Sequence, residues 1–178
     1  FAGMCKVDFY KNNSTAGEQN YINAIDKGED NALVYITLSE AFSNSKNKNY
    51  DRAIEILNKS LTLKRKDINS YISLGKVFAA KGNGTDALKN FSSALEIDSK
   101  NPDALTQKAK IYILINNSNA GIELLNNVIT FDPSYAPAFY ELAECYASLK
   151  NYSKAAENYA KYIDASESTI KKQKRYAQ

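Results

Sequence analysis

The sequence predicts an all-α fold in which helix hairpins stack into a solenoid. Three observations predict it. A pattern of large and small residues recurs at a step of 34 residues, as Gly75, Ala109 and Ala143 show. Glycine and proline are scarce, 7 and 3 among 178 residues, and most fall where helices would start or turn. Large residues repeat at i, i+3 and i+7, the spacing of one helical face, and no apolar run reaches the roughly 18 residues of a membrane span. A chain that is 44% hydrophobic and 24% charged fits one compact domain or an elongated array, and the step decides for the array.

The elements follow in order. Residues 1–30 carry Gly17-x-x-x-Tyr21-x-x-Ala24, a second-helix pattern, and read as a degenerate N-terminal repeat or capping helices. Residues 31–67 form the first full unit, with Tyr35-x-x-Leu38-Ser39-x-x-Phe42 and then Ala53-x-x-x-Leu57-x-x-Ser60. Two extra residues sit in its Asn44 to Asn49 turn, where a surface loop accepts insertion cheaply. Residues 68–101 repeat the pattern as Tyr71-x-x-Leu74-Gly75-x-x-Phe78 and Ala87-x-x-x-Phe91-x-x-Ala94. In residues 102–135 the same slots hold Leu105, Ala109 and Tyr112, then Gly121, Leu125 and Val128. Residues 136–169 give Phe139-x-x-Leu142-Ala143-x-x-Tyr146 and Ala155-x-x-x-Tyr159-x-x-Tyr162. One more step lands on Tyr176-Ala177, so residues 170–178 read as the first helix of a truncated further repeat. Neither end carries a natural start or stop signal, and Phe1 to Tyr10 is no signal peptide. The chain is therefore expected to be a fragment of a longer protein, with any targeting signal outside it.

The spacing has a physical reason. A small residue beside a large one, as at Gly75, Ala109 and Ala143, lets a second helix come close. The small residue opening the second set faces that gap, and the large residue four positions later fills the space beside it. Lys81-Gly82-Asn83-Gly84 supplies a tight turn with glycines that permit positive φ. Pro102 and Pro137 fall in first turns, where a missing N–H costs nothing, and Asp132-Pro133 marks a stop. Five tyrosines, Tyr35, Tyr71, Tyr112, Tyr146 and Tyr159, occupy core slots, and Tyr50 and Tyr152 are expected to pack between repeats. Cys145 reads as a small buried hydrophobe.

Tyr71, Leu74, Gly75, Phe78, Ala87 and Phe91, with Pro133 closing the following unit, resemble the tetratricopeptide repeat pattern, with Tyr in place of Trp. The resemblance covers four units in register. It implies a right-handed α-α superhelix whose first helices line a concave groove for a peptide or partner protein. The groove slots implied here are Ile36, Glu40, Ile72, Lys76, Thr106, Lys110, Ile113, Tyr140 and Glu144. Lys76 and Lys110 would take an acidic segment, with Ile36, Ile72 and Tyr140 as apolar anchors. The carboxylate clamp of chaperone-tail-binding members has no counterpart. Its slots hold Ile36, Glu40, Ser73, Asp103 and Gln107 in one frame, and Ile72, Lys76, Gln107, Pro137 and Glu141 in the next.

Other chemistries are excluded by residue type. With no histidine, a Ser-His-Asp triad and the Cys/His metal sites are ruled out, and no catalytic, cofactor or metal residue is assigned. Cys5 and Cys145 lie far apart, so no CxxC site exists. The glycines at 82 and 84 lack the Lys-Ser/Thr of a phosphate loop. Lys64-Arg65-Lys66 and Lys171 to Arg175 are short basic runs without a continuous basic face, so nucleic acid is not expected, nor is membrane insertion. The Asn- and Lys-rich composition points to a bacterial source, and the compartment is left open by two unpaired cysteines. The expected role is a protein-interaction scaffold. The alternatives are a structural spacer with end-to-end self-association, or the docking module of an enzyme whose catalytic domain lies elsewhere.

Overall fold

A computed structural model of the chain describes residues 32–44, 48–63 and 67–176, with the single positions 17, 19, 20 and 23. The expected N-terminal element over 1–30 thus lies almost wholly outside the described residues. So do Lys64-Arg65-Lys66 and the side chains of Lys171 to Arg175. Among the described residues the fold is all-α, with no strand. The chain divides into two compact units, Phe1–Ile97 and Asp98–Gln178.

The first unit holds α1 (Ala32–Asn44), α2 (Tyr50–Leu63), α3 (Ile68–Ala80) and α4 (Gly84–Ile97). Tyr35, Leu38 and Phe42 of α1 meet Ala53, Ile56 and Leu57 of α2 and Leu74 and Val77 of α3 in one buried cluster. Half-buried Tyr50 packs against it, as expected. Ser60 on α2 and Ser70 on α3 share a buried hydroxyl–hydroxyl hydrogen bond of 3.0 Å. Asp67 caps α3 by accepting from the Ser70 amide at 2.7 Å. The close approach of α3 and α4 follows from Gly75, where a Cβ would stand 2.4 Å from the Phe91 ring. Phe91 is fully buried.

The second unit holds α5 (Pro102–Leu114), α6 (Ser118–Phe131), α7 (Ala136–Ser148) and α8 (Tyr152–Tyr176). Leu105, Ala109, Leu125, Val128, Phe139, Leu142, Ala143 and Cys145 are buried in it. Here the close approach is at Gly121, whose missing Cβ leaves room for Ile113. Asn101 caps α5, accepting from the Ala104 amide at 3.0 Å, and Pro102 opens that helix. The 25-residue α8 runs unbroken through residues 169 and 170. Ile170 therefore continues α8 and does not open a new helix. No Gly, Pro or Asn occurs from Ile163 to Tyr176 to stop it.

The hairpin turns repeat in atomic detail. Gly82, Asn116 and Lys150 stand 34 residues apart and all take left-handed φ, at 86°, 63° and 60°. The first helices α3, α5 and α7 close with the same paired bonds. Gly82, Asn116 and Lys150 donate to the carbonyls of Ala79, Ile113 and Ala147, and the next residue donates to those of Phe78, Tyr112 and Tyr146. That next residue is an asparagine each time. The Oδ1 of Asn83, Asn117 and Asn151 caps the second helix, accepting from the amides of Asp86, Ala120 and Lys154. Asn49 does the same for α2, accepting from Arg52 at 3.1 Å.

Candidate functional site

In the first unit, α1 and α3 leave between them a depression of about 370 Å³. Ser39, Glu40, Ser43 and Asn44 line it from α1, and Ser73, Lys76, Val77 and Ala80 from α3. Each set falls on one helical face, because residues three and four apart are neighbours. The serines are turned inward: Ser39 donates to the Ile36 carbonyl and Ser43 to the Ser39 carbonyl, both at 2.8 Å. Their hydroxyl protons are thereby committed to the helix itself. Glu40 and Lys76 are exposed and bring opposite charges to the rim of a partly apolar floor.

In the second unit, Lys110 on α5 forms an ion pair with Glu141 on α7 at 2.8 Å, so it is not an open cation for an acidic ligand. Tyr140 on α7 meets two rings of α8 edge to face. The centroid of Tyr159 lies 6.1 Å away and that of Tyr162 5.4 Å away. The Tyr159 hydroxyl donates to Glu144 Oε1. That bond to a carboxylate pushes the Tyr159 phenol up to about 12, since ionising it would set two negative charges side by side. Tyr135 is also pushed up to about 12, first by burial and then by Asp103 and Asp132. Burial raises the Cys145 thiol, which is 1% exposed, as its reading as a small hydrophobe expects.

The nine groove slots thus separate. Glu40 with Lys76, and Tyr140 with Glu144, are brought together. Ile36 is half-buried against the first unit's core, and Ile113 packs over Gly121. Two expectations are corrected: Ile72 is 4% exposed and Thr106 1%, so neither presents a surface to a ligand. Both side chains are turned into the packed interior of their units and away from solvent. Tyr152, expected to pack between repeats, is 69% exposed. Tyr159, expected in the core, is half-buried with its hydroxyl on Glu144. The repeat spacing did not assign Ser39, Ser73, Glu141 or Tyr162 to the groove. Ser73 and Glu141 had appeared in the sequence only as clamp slots, and the structure sets Glu141 against Lys110. Among the described residues no group of three potential metal ligands occurs, and no helix is long and apolar enough to cross a membrane.

Two models of the tetratricopeptide repeat match the chain, over residues 34–67 and 107–168, which together exceed half its length. Among curated proteins, the chain is 33% identical over 87 residues to the BBSome complex member BBS4 of Bos taurus, a match covering 49% of this chain and 17% of that protein. The chain spans less than a fifth of this relative. Among solved structures it is similar to TTC0263, a thermophilic TPR protein of Thermus thermophilus. The TM-score is 0.74 at 17% identity, covering 97% of this chain and 93% of that one. YrrB, a TPR protein with an unusual peptide-binding site, gives a TM-score of 0.59 at 21% identity, covering 92% and 83%. At these identities the two structures speak for the fold alone.

Proposed function

The chain belongs to the tetratricopeptide repeat family, and we propose that it is a protein–protein interaction scaffold that takes an extended peptide segment at the depression between α1 and α3. We assign its repeats to residues 31–67, 68–101, 102–135 and 136–169. One observation carries the reading. Glu40 and Lys76 face the same trough from two first helices, over the apolar floor of Val77 and Ala80. A peptide laid across it would place a carboxylate at Lys76 and an amine, guanidinium or backbone amide at Glu40. Half-buried Ser73 and exposed Asn44 add polar groups that an extended backbone can use. The peptide-binding site named for YrrB supports this use of the fold.

The test is a titration with an acidic and a neutral peptide of equal length against the wild type, Lys76→Ala and Glu40→Ala. The acidic peptide should bind Lys76→Ala about tenfold more weakly, the loss of roughly 1.4 kcal/mol. The neutral peptide should be little affected. Equal binding of the acidic peptide by wild type and Lys76→Ala would sink the assignment.

A further inference from the structure

The two hairpin turns of the second unit carry an apolar edge that the repeat does not require. Leu114 is 73% exposed and Ile115 55% at the α5–α6 turn, and Leu149 is 52% and Tyr152 69% exposed at the α7–α8 turn. At steps of 34, Leu114 takes the place of Ala80, Ile115 and Leu149 that of Lys81, and Tyr152 that of Gly84. The two turns lie side by side. α7 packs against both α5 and α6, and the Ser118 side chain at the start of α6 hydrogen-bonds the Cys145 thiol, one helical turn before Leu149. Leu114 and Ile115 stay exposed with the α7–α8 hairpin packed beside them, and Lys81 and Gly82 are exposed although two hairpins follow them in the chain. A following helix therefore does not close this edge, and its exposure belongs to the turns themselves.

The charge along the edge has one sign. No Asp or Glu occurs from Ala104 to Ile122 or from Cys145 to Ala156. Exposed Lys150 and Lys154 flank Leu149 and Tyr152. Lys154 Nζ lies 5.1 Å from the centre of the Tyr146 ring, a contact that leaves its charge in place. The next acids on either side have other partners: Glu144 accepts from the Tyr159 hydroxyl, and Glu157 pairs with Lys161 at 2.5 Å. Lys150 also holds a left-handed φ of 60° at the position of Gly82, so a lysine stands where glycine would be unstrained.

We propose that this edge seats the chain on the surface of an anionic lipid bilayer, with Leu114, Ile115, Leu149 and Tyr152 at headgroup level and Lys150 and Lys154 against the lipid anions. Leucine, isoleucine and tyrosine bury in the interface, and lysine stems lie along it with the ammonium in water. A protein partner is the poorer fit, because lysine is depleted in protein interfaces and leucine is under-represented among the residues that carry their binding energy. A second copy pairing edge to edge would set like charges together. The contact is peripheral and needs no membrane-crossing helix, and none occurs among the described residues. This inference lies in the second unit and does not rest on the trough between α1 and α3.

The test is co-sedimentation of the chain with vesicles of equal parts phosphatidylserine and phosphatidylcholine, and with vesicles of phosphatidylcholine alone. The anionic vesicles should bind it roughly thirtyfold more tightly, the effect of two lysines near a charged surface. Lys150→Gln/Lys154→Gln should level the two. Leu114→Ser/Ile115→Ser/Leu149→Ser should release the chain from anionic vesicles, with its helical circular dichroism retained. Lys59→Gln/Lys89→Gln, at two exposed lysines of the first unit, should change little, which separates the edge from net charge. The chain has no tryptophan, so Tyr152→Trp is a single reporter whose emission should shift to the blue on anionic vesicles. No binding to anionic vesicles, equal binding to both kinds, or binding that survives the serine variant overturns the proposal, as does an equal loss in Lys59→Gln/Lys89→Gln. With vesicles left unbound, capture of a soluble peptide of alternating leucine and glutamate gives the edge to a protein, and a dimer that the serine variant dissolves gives it to a second copy; either overturns the proposal as well.

Discussion

Gly75→Ala sets a local preference against a packing constraint, and the structure says which wins. In an open helix the change gains about 1 kcal/mol, because glycine costs helix entropy. Here a Cβ at residue 75 would lie 2.4, 2.6 and 2.8 Å from three ring atoms of Phe91. Ordinary carbon contacts are near 3.5 to 4.0 Å, so the ring must withdraw by roughly 1 Å. Phe91 is fully buried, with nowhere open to go. Overpacking of this kind costs about 1–3 kcal/mol. The net expectation is a loss of about 1 kcal/mol, or roughly 2–4 °C in Tm for a chain of this size. Urea unfolding followed by far-ultraviolet circular dichroism reads it without a tryptophan, which the chain lacks. A cycle with Phe91→Leu isolates the cause. In the smaller background Gly75→Ala should turn neutral or stabilising, with a coupling of about 1–2 kcal/mol. A Gly75→Ala chain more stable than wild type, or an identical effect in both backgrounds, would refute the reasoning.

Thr106→Val should stabilise the chain by about 1 kcal/mol, since the buried Thr106 Oγ1 has no hydrogen-bond partner and the valine keeps its shape; a loss in chemical denaturation contradicts this. Lys150→Gly should stabilise the chain by about 0.5–1 kcal/mol and so raise its melting midpoint, because a left-handed φ of 60° strains any residue with a Cβ. The converse Gly82→Ala should cost a similar amount at φ 86°, and a gain there would count against the shared turn. Tyr159 should ionise late, near pH 12, when followed by tyrosinate absorbance, and Glu144→Ala should bring it back toward 10. Its folded value lies above the ordinary one of 10.0, so the bonded phenol supports the fold fully below pH 10, and that support is lost as pH rises toward 12. An unchanged Tyr159 titration in Glu144→Ala would remove Glu144 as the cause.

The helices and their close approaches were legible because they are periodic. Gly75 and Phe91 sit in the slots that the spacing gives to a gap and its filler, and they meet there. Asn49, Asn83, Asn117 and Asn151 show a second kind of legibility that composition hides. Counted as asparagines they suggest only a biased genome, but placed before each second helix they are its caps. The burial of Ile72 and Thr106 was not legible. A slot number fixes the angle around a helix, but not how far the neighbouring first helix closes over it. The length of α8 likewise follows composition and not the repeat: the stretch from Ile163 to Tyr176 holds no Gly, Pro or Asn, so the helix continues through the expected boundary at residue 170.

Register yields one last prediction for the trough. Lys110 meets Glu141 across neighbouring first helices, and the same two slots in the first unit hold Glu40 and Ser73, both lining the depression. The second unit has therefore joined by an ion pair the position that the first unit leaves to a serine. Ser73→Lys should copy that pair with the charges reversed. Because Glu40 is exposed, screening limits the gain to about 0.5 kcal/mol. The binding effect should be larger, since the new side chain occupies the trough and engages the carboxylate that a ligand would use. Stability should thus rise slightly while affinity for a neutral peptide falls about tenfold, and Glu40→Gln should cancel the first effect. A variant that gains stability yet keeps full peptide affinity would show that ligands bypass the α1–α3 trough, and the proposed site would have to move.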